Sequence, residues 1–136
     1  MNTDNPKDLI YWGIFVDDPR SLKKTLERKV VYPHVTYGFK TEMPLYILGE
    51  PTTIEVVGYA IDDNNEGYSV RIPEDPYGMC RNLFYLKRKV PHITTSVSAQ
   101  GKPVDTKNLK FQPIEPFVLT GRFGYFSNVN CVKYSV

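Results

Sequence analysis

The chain has 136 residues, 41% hydrophobic and 24% charged, with a formal net charge of +2. That length fits one domain spanning residues 1–136 with its own core, and that composition excludes a disordered chain. A charge so near neutrality gives no general attraction to nucleic acid, and no run approaches the about eighteen apolar residues of a membrane span. Two cysteines, Cys80 and Cys131, lack the spacing of a disulfide framework or zinc site. The opening "MNTDNPKD" is polar and carries no apolar secretion segment, so residues 1–8 read as a flexible tail on a cytoplasmic protein.

In chain order, "LIYWGIFV" (Leu9 to Val16) is an apolar run with the length of a buried strand. "DDPRSLKKTLERKV" reads as an amphipathic helix, with Asp18 as N-cap, Pro19 in the first turn, and Leu22, Leu26 and Val30 on one stripe. "VYPHVTYGFK" is strand-like and "TEMPLYILGEP" a loop. "TTIEVVGYAID" and "YSVRIP" flank the turn signal "DNNEG" and read as a hairpin. "NLFYLKRKV" fits a short helix or a strand and holds the densest basic run, Lys87, Arg88 and Lys89, whose plainest reading is a solvated strand end. "PHITTSVSA" is a strand and "QGKPVDTKNL" a loop. "PFVLTGRFGYF" with "CVKYSV" forms a terminal antiparallel pair. One α+β domain rich in antiparallel sheet is the result.

The chain has only two histidines, and both stand in Pro-His-(Val/Ile)-Thr: "YPHVTYGF" and "VPHITTSV". Such a string arises by chance at a given histidine on the order of once in several thousand cases. In a strand, residues two apart share a face, so His34 sits beside Thr36 and His92 beside Thr94, with Val35 and Ile93 turned to a core. One His of this kind is usually structural; the repeat is what argues for chemistry. Three or more metal ligands do not gather near either motif, and a Ser/His/Asp triad would leave one His unexplained. Two imidazoles suit acid–base displacement at phosphorus, one taking a proton from the nucleophile and one protonating the leaving oxygen. The threonine hydroxyls can donate to the non-bridging oxygens. Neither a metal nor a cofactor is required.

Two His-x-Thr pairs on one small domain resemble the 2H phosphoesterase superfamily, which includes LigT-like RNA phosphodiesterases and the cyclic phosphodiesterase domains of tRNA ligases. The residues that carry the resemblance are His34-Val35-Thr36 and His92-Ile93-Thr94. It implies a bilobal fold, two halves of antiparallel strands with flanking helices and a catalytic groove between them. It also implies that His34 protonates the leaving group and His92 activates the nucleophile, although the sequence itself does not order them. Tyr37 and Thr95, which follow the two motifs, stand where the family often has aliphatic residues.

The substrate implied is an RNA end with a 2′,3′-cyclic phosphate, or another nucleotide, opened without metal. A close alternative is a phage- or virus-type enzyme that degrades cyclic-oligonucleotide defence signals. A non-catalytic module binding RNA ends or nucleotides is the reading from a different class. Tyr11, Trp12, Tyr37 and Tyr125, with Phe123 and Phe126, are candidate base-stacking rings, and Lys102 a candidate phosphate contact. Each ring also suits a core.

Overall fold

The computed structural model describes residues 6–39, 43, 45–72 and 91–135. Eight strands appear among them: β1 (Leu9–Val16), β2 (Arg28–Lys29), β3 (His34–Phe39), β4 (Pro51–Ile61), β5 (Asn65–Arg71), β6 (His92–Val97), β7 (Gln112–Ser127) and β8 (Val132–Lys133). Six of them pair antiparallel in the ring β1-β3-β6-β5-β4-β7, which returns to β1. The molecule is therefore a closed barrel. This overturns the bilobal α+β expectation with its flanking helices. The strands complete a circuit around one core, where the bilobal reading had them in two lobes.

β4 shows how the sequence writes a wall of that barrel. Thr52, Ile54, Val56 and Ala60 are buried, and the alternate positions Thr53, Glu55, Val57 and Tyr59 are less so. The interior collects Trp12, Ile14, Val35, Tyr37, Ile54, Val56, Tyr68, Val70, Ile93, Phe123 and Tyr125. β7 closes the circuit because it is long enough to serve two neighbours. Its first part pairs with β4, its second with β1, and the two registers meet at Gly121 and Arg122. A Cβ on Gly121 would lie 2.7 Å from Ile14 Cγ2 and 2.8 Å from the Phe15 carbonyl oxygen, so only glycine lets β1 approach at this corner.

The helix expected over "DDPRSLKKTLERKV" reduces to one 3-10 turn, Pro19–Ser21. Its cap is as read: the Asp18 carboxylate accepts the Arg20 backbone N–H at 3.1 Å. Beyond it, the backbone donors a helix would use internally go to strand side chains. Lys23 N donates to Tyr68 Oη at 2.9 Å, Thr25 N to Glu66 Oε1 at 2.5 Å, and Leu26 N to Ser96 Oγ at 3.0 Å. Leu22 is buried with the core cluster. Glu66 is fully buried, and its carboxylate also accepts from Thr25 Oγ1 at 2.9 Å, Ser96 Oγ at 2.7 Å and the Tyr59 hydroxyl. Burial works to raise its pKa, but the hydrogen bonds from Tyr59, Thr25 and Ser96 outweigh it and hold the carboxyl below its usual range. A tertiary latch has displaced the local helix.

The hairpin read around "DNNEG" is present, with β5 beginning inside that string at Asn65. "TEMPLYILGEP" and "QGKPVDTKNL" contain the 3-10 segments Leu45–Ile47 and Pro103–Asn108. The terminal pair forms between β7 and β8. Asp8, placed in the expected tail, is held by Lys133 at 2.7 Å. "NLFYLKRKV" with Lys87, Arg88 and Lys89, and Cys80, lie outside the described residues. Among the described residues, no helix is long and apolar enough to cross a membrane.

Candidate active site

β3 and β6 are direct neighbours, with Val35 opposite Ile93 and both side chains fully buried. In an antiparallel pair, one step back on β3 meets one step forward on β6. His34 therefore lies opposite Thr94, and Thr36 opposite His92, all four on the face turned away from Val35 and Ile93. The two imidazoles take the diagonal positions, with a typical separation of about 7–8 Å. The four motif residues thus form one quartet on two adjacent strands of a single wall. The expected groove between two lobes is not its setting.

The two ends of the quartet are built differently. His34 Nδ1 lies 2.9 Å from the Tyr32 carbonyl oxygen. A carbonyl only accepts, so Nδ1 carries the proton and a neutral ring keeps its lone pair on Nε2. The imidazole also stacks on Tyr11 (centroids 4.5 Å apart, planes at 21°) and on Phe15 (5.1 Å, 28°). These rings strip water from it. Desolvation is the main reason its pKa is lowered to about 4; the Tyr32 carbonyl pulls the other way, and the charge of His92 adds to the lowering. Tyr11 in turn stacks on Phe126 at 5.0 Å, and its hydroxyl is pushed up to about 12 by burial.

At the other end, Thr94 Oγ1 is 2.9 Å from Thr106 Oγ1 and 3.2 Å from the Pro103 carbonyl oxygen, both in the 3-10 segment Pro103–Asn108. On β5, Gly67 stands opposite Thr94 and Ser69 opposite His92. A Cβ on Gly67 would meet Thr106 Cγ2 at 2.7 Å and the Ile93 carbonyl oxygen at 2.4 Å. The missing side chain is what lets the 3-10 segment settle against the motif strand. Among the described residues, no group of three or more His, Cys, Asp and Glu gathers as a metal cluster would.

Of the rings proposed to meet a substrate, Tyr11 is beside His34. Trp12, Tyr37 and Tyr125 are not: they are buried at 1%, 2% and 2% exposure inside the barrel. Phe123 is with them, whereas Phe126 stands next to Tyr11. Period two accounts for the split, since Tyr37 shares the face of Val35 and Trp12 that of Ile14. Lys102 is exposed and precedes the segment that contacts Thr94, with its carbonyl accepting from Asn65 Nδ2 at 2.8 Å. Sequence reasoning missed Phe15, Tyr32 and Thr106. Alternation from Tyr11 points to Phe15; nothing local marks Thr106.

No protein-family model matches the chain, and no curated protein matches it.

Proposed function

We propose that the protein is a two-histidine phosphodiesterase that opens 2′,3′-cyclic phosphate ends of RNA, or a closely related nucleotide phosphodiester, without a metal. The observation that carries this reading is the register that sets His34 against Thr94 and Thr36 against His92 on one face. Two proton-transfer groups and two hydroxyl donors then share one face of a strand pair.

The desolvated His34 is neutral at pH 7 with Nε2 unprotonated, which suits a general base. This reverses the order taken from the family. His34 Nε2 takes a proton from water as the water oxygen bonds to phosphorus. The bond from phosphorus to one ribose oxygen breaks, and His92 gives that oxygen a proton. His34 ends as imidazolium and His92 as neutral imidazole, and exchange with solvent resets both. Thr36 and Thr94 donate to the non-bridging oxygens as negative charge grows on them. The Tyr11–Phe126 stack beside His34 offers a flat surface to the base next to the scissile phosphate.

The test is a substrate panel in EDTA: RNA ends and mononucleotides with 2′,3′-cyclic phosphates beside cyclic oligonucleotides. Turnover of the cyclic-phosphate ends supports the reading. Turnover confined to cyclic oligonucleotides moves the substrate to defence signals. Binding without turnover by a folded protein marks a recognition module, and activity that requires added Mg²⁺ or Zn²⁺ overturns the chemistry.

A further inference from the structure

We infer that Thr106 is a positioning residue for Thr94, itself set by Asn65, so that a buried hydrogen-bond chain turns the Thr94 hydroxyl toward the substrate. The inference rests on the proposed phosphodiesterase reading and deepens it at one corner of the site.

The chain starts at Asn65, which is 2% exposed and opens β5. Its Nδ2 lies 2.8 Å from the Lys102 carbonyl oxygen and 3.0 Å from Thr106 Oγ1. Because the Lys102 carbonyl only accepts, the nitrogen of the Asn65 amide must face it, which fixes the amide's orientation. The second N–H of that nitrogen then enters Thr106 Oγ1. Thr106 is fully buried, and its own hydroxyl hydrogen remains to be placed. Thr94 has one hydrogen and two acceptors within reach, Thr106 Oγ1 at 2.9 Å and the Pro103 carbonyl at 3.2 Å. The carbonyl can only accept, so that hydrogen goes to it and Thr106 gives its own to Thr94 Oγ1. With that lone pair engaged, the hydrogen of Thr94 points elsewhere: to the Pro103 carbonyl at 3.2 Å, and to a phosphoryl oxygen when one is bound. Successive donors along such a chain polarise one another, so Thr94 donates more strongly than a threonine in water. Gly67 supplies the room for this contact, since any side chain there would displace Thr106.

The decisive experiment compares Thr106→Val, which keeps the shape and removes the hydroxyl, with Thr106→Ser, which keeps the hydroxyl. Each is made alone and on a Thr94→Val background. Expected is a fall in kcat of about 10-fold for Thr106→Val with KM little changed, smaller than the 10²–10³ of deleting a transition-state donor outright. Thr106→Ser restores most of it, and Thr106→Val adds nothing to Thr94→Val. A purely structural Thr106 would instead lower the melting temperature and multiply its effect on kcat with that of Thr94→Val. Wild-type kcat in a folded Thr106→Val protein, or full additivity, overturns the chain and leaves the phosphodiesterase reading standing. An inactive wild type removes both. Should Thr106→Val fail to fold, NMR of the wild type gives the answer: a slowly exchanging Thr106 hydroxyl proton with a cross-peak to Thr94 supports the chain. One that exchanges as fast as an exposed threonine's overturns it.

Discussion

The strands β3 and β6 carry nearly the same four letters, yet their motifs sit in opposite kinds of surroundings. On β3, His34 is packed against Tyr11 and Phe15, and its polar partner is a backbone carbonyl. On β6, the motif faces small and polar neighbours: Gly67 and Ser69 across the strand pair, and Thr106 above Thr94. The motif itself decides which atoms share a face. The neighbours decide how those atoms titrate and where their hydrogens point. On the proposed reading, an apolar fence suits one imidazole to act as a base, while a polar scaffold aims the hydroxyl at the other end.

The largest effect that can break this pairing is loss of either ring. His34→Ala and His92→Ala should each lower kcat by about 10²–10⁴-fold, the range for removing a general acid or base. Thr36→Val should cost less, because proton transfer survives. A folded His34→Ala enzyme with full activity on the best substrate would end the two-histidine reading.

Next in size is the latch that holds the segment after Pro19–Ser21 against β5 and β6. Glu66→Gln replaces one acceptor oxygen with an N–H₂ group that faces donors, and should cost about 1–3 kcal/mol in urea unfolding. Because the folded carboxyl titrates below its usual 4.5, its contribution is present above that value and is lost as pH falls through the folded pKa. An unchanged unfolding midpoint in Glu66→Gln would mean that the buried carboxylate does not hold the segment.

The smallest effect sharpens the contrast between the two histidines. With only two in the chain, NMR titration resolves each. His34 should titrate near 4, and the acid limb of kcat/KM should follow it, because a base loses activity as it is protonated. If His34 were the acid, activity would instead decline above about pH 4. Tyr11→Leu admits water and should move the His34 midpoint up toward 6.5. Between about 6.5 and 4 the unfolded chain binds more protons at this residue, so acidification destabilises the protein across that window and less so in Tyr11→Leu. A wild-type midpoint already near 6.5 would remove the desolvation argument.

How far the sequence reaches can be judged from single elements. β1 was readable to its ends because an apolar run between turn residues leaves little choice, and each His–Thr pair was readable because period two is fixed by the backbone, although the pairing of β3 with β6 was not. The same rule places Tyr37 with Val35 in the interior, away from the face that carries His34 and Thr36. The helix after Asp18 failed for another reason. Its stripe of Leu22, Leu26 and Val30 is genuine, but Glu66, Tyr68 and Ser96, far away in sequence, outbid the local hydrogen bonds. Closure was illegible because it depends on β1 meeting β7, and no local pattern records a pairing between the two ends of the described chain.

That pairing has a kinetic consequence. β4 and β5 are joined by the short turn 62–64, whereas β1 waits for residues 121–127. During synthesis the wall bearing both histidines can assemble while β1 still presents a free edge, and the last stretch of β7 ends that exposure. Non-local closure of this kind slows folding, and an open strand edge invites pairing between chains. A chain truncated before Gly121 would therefore leave the β1 edge unpaired and adhesive, and the second half of β7 acts as the molecule's guard against its own aggregation.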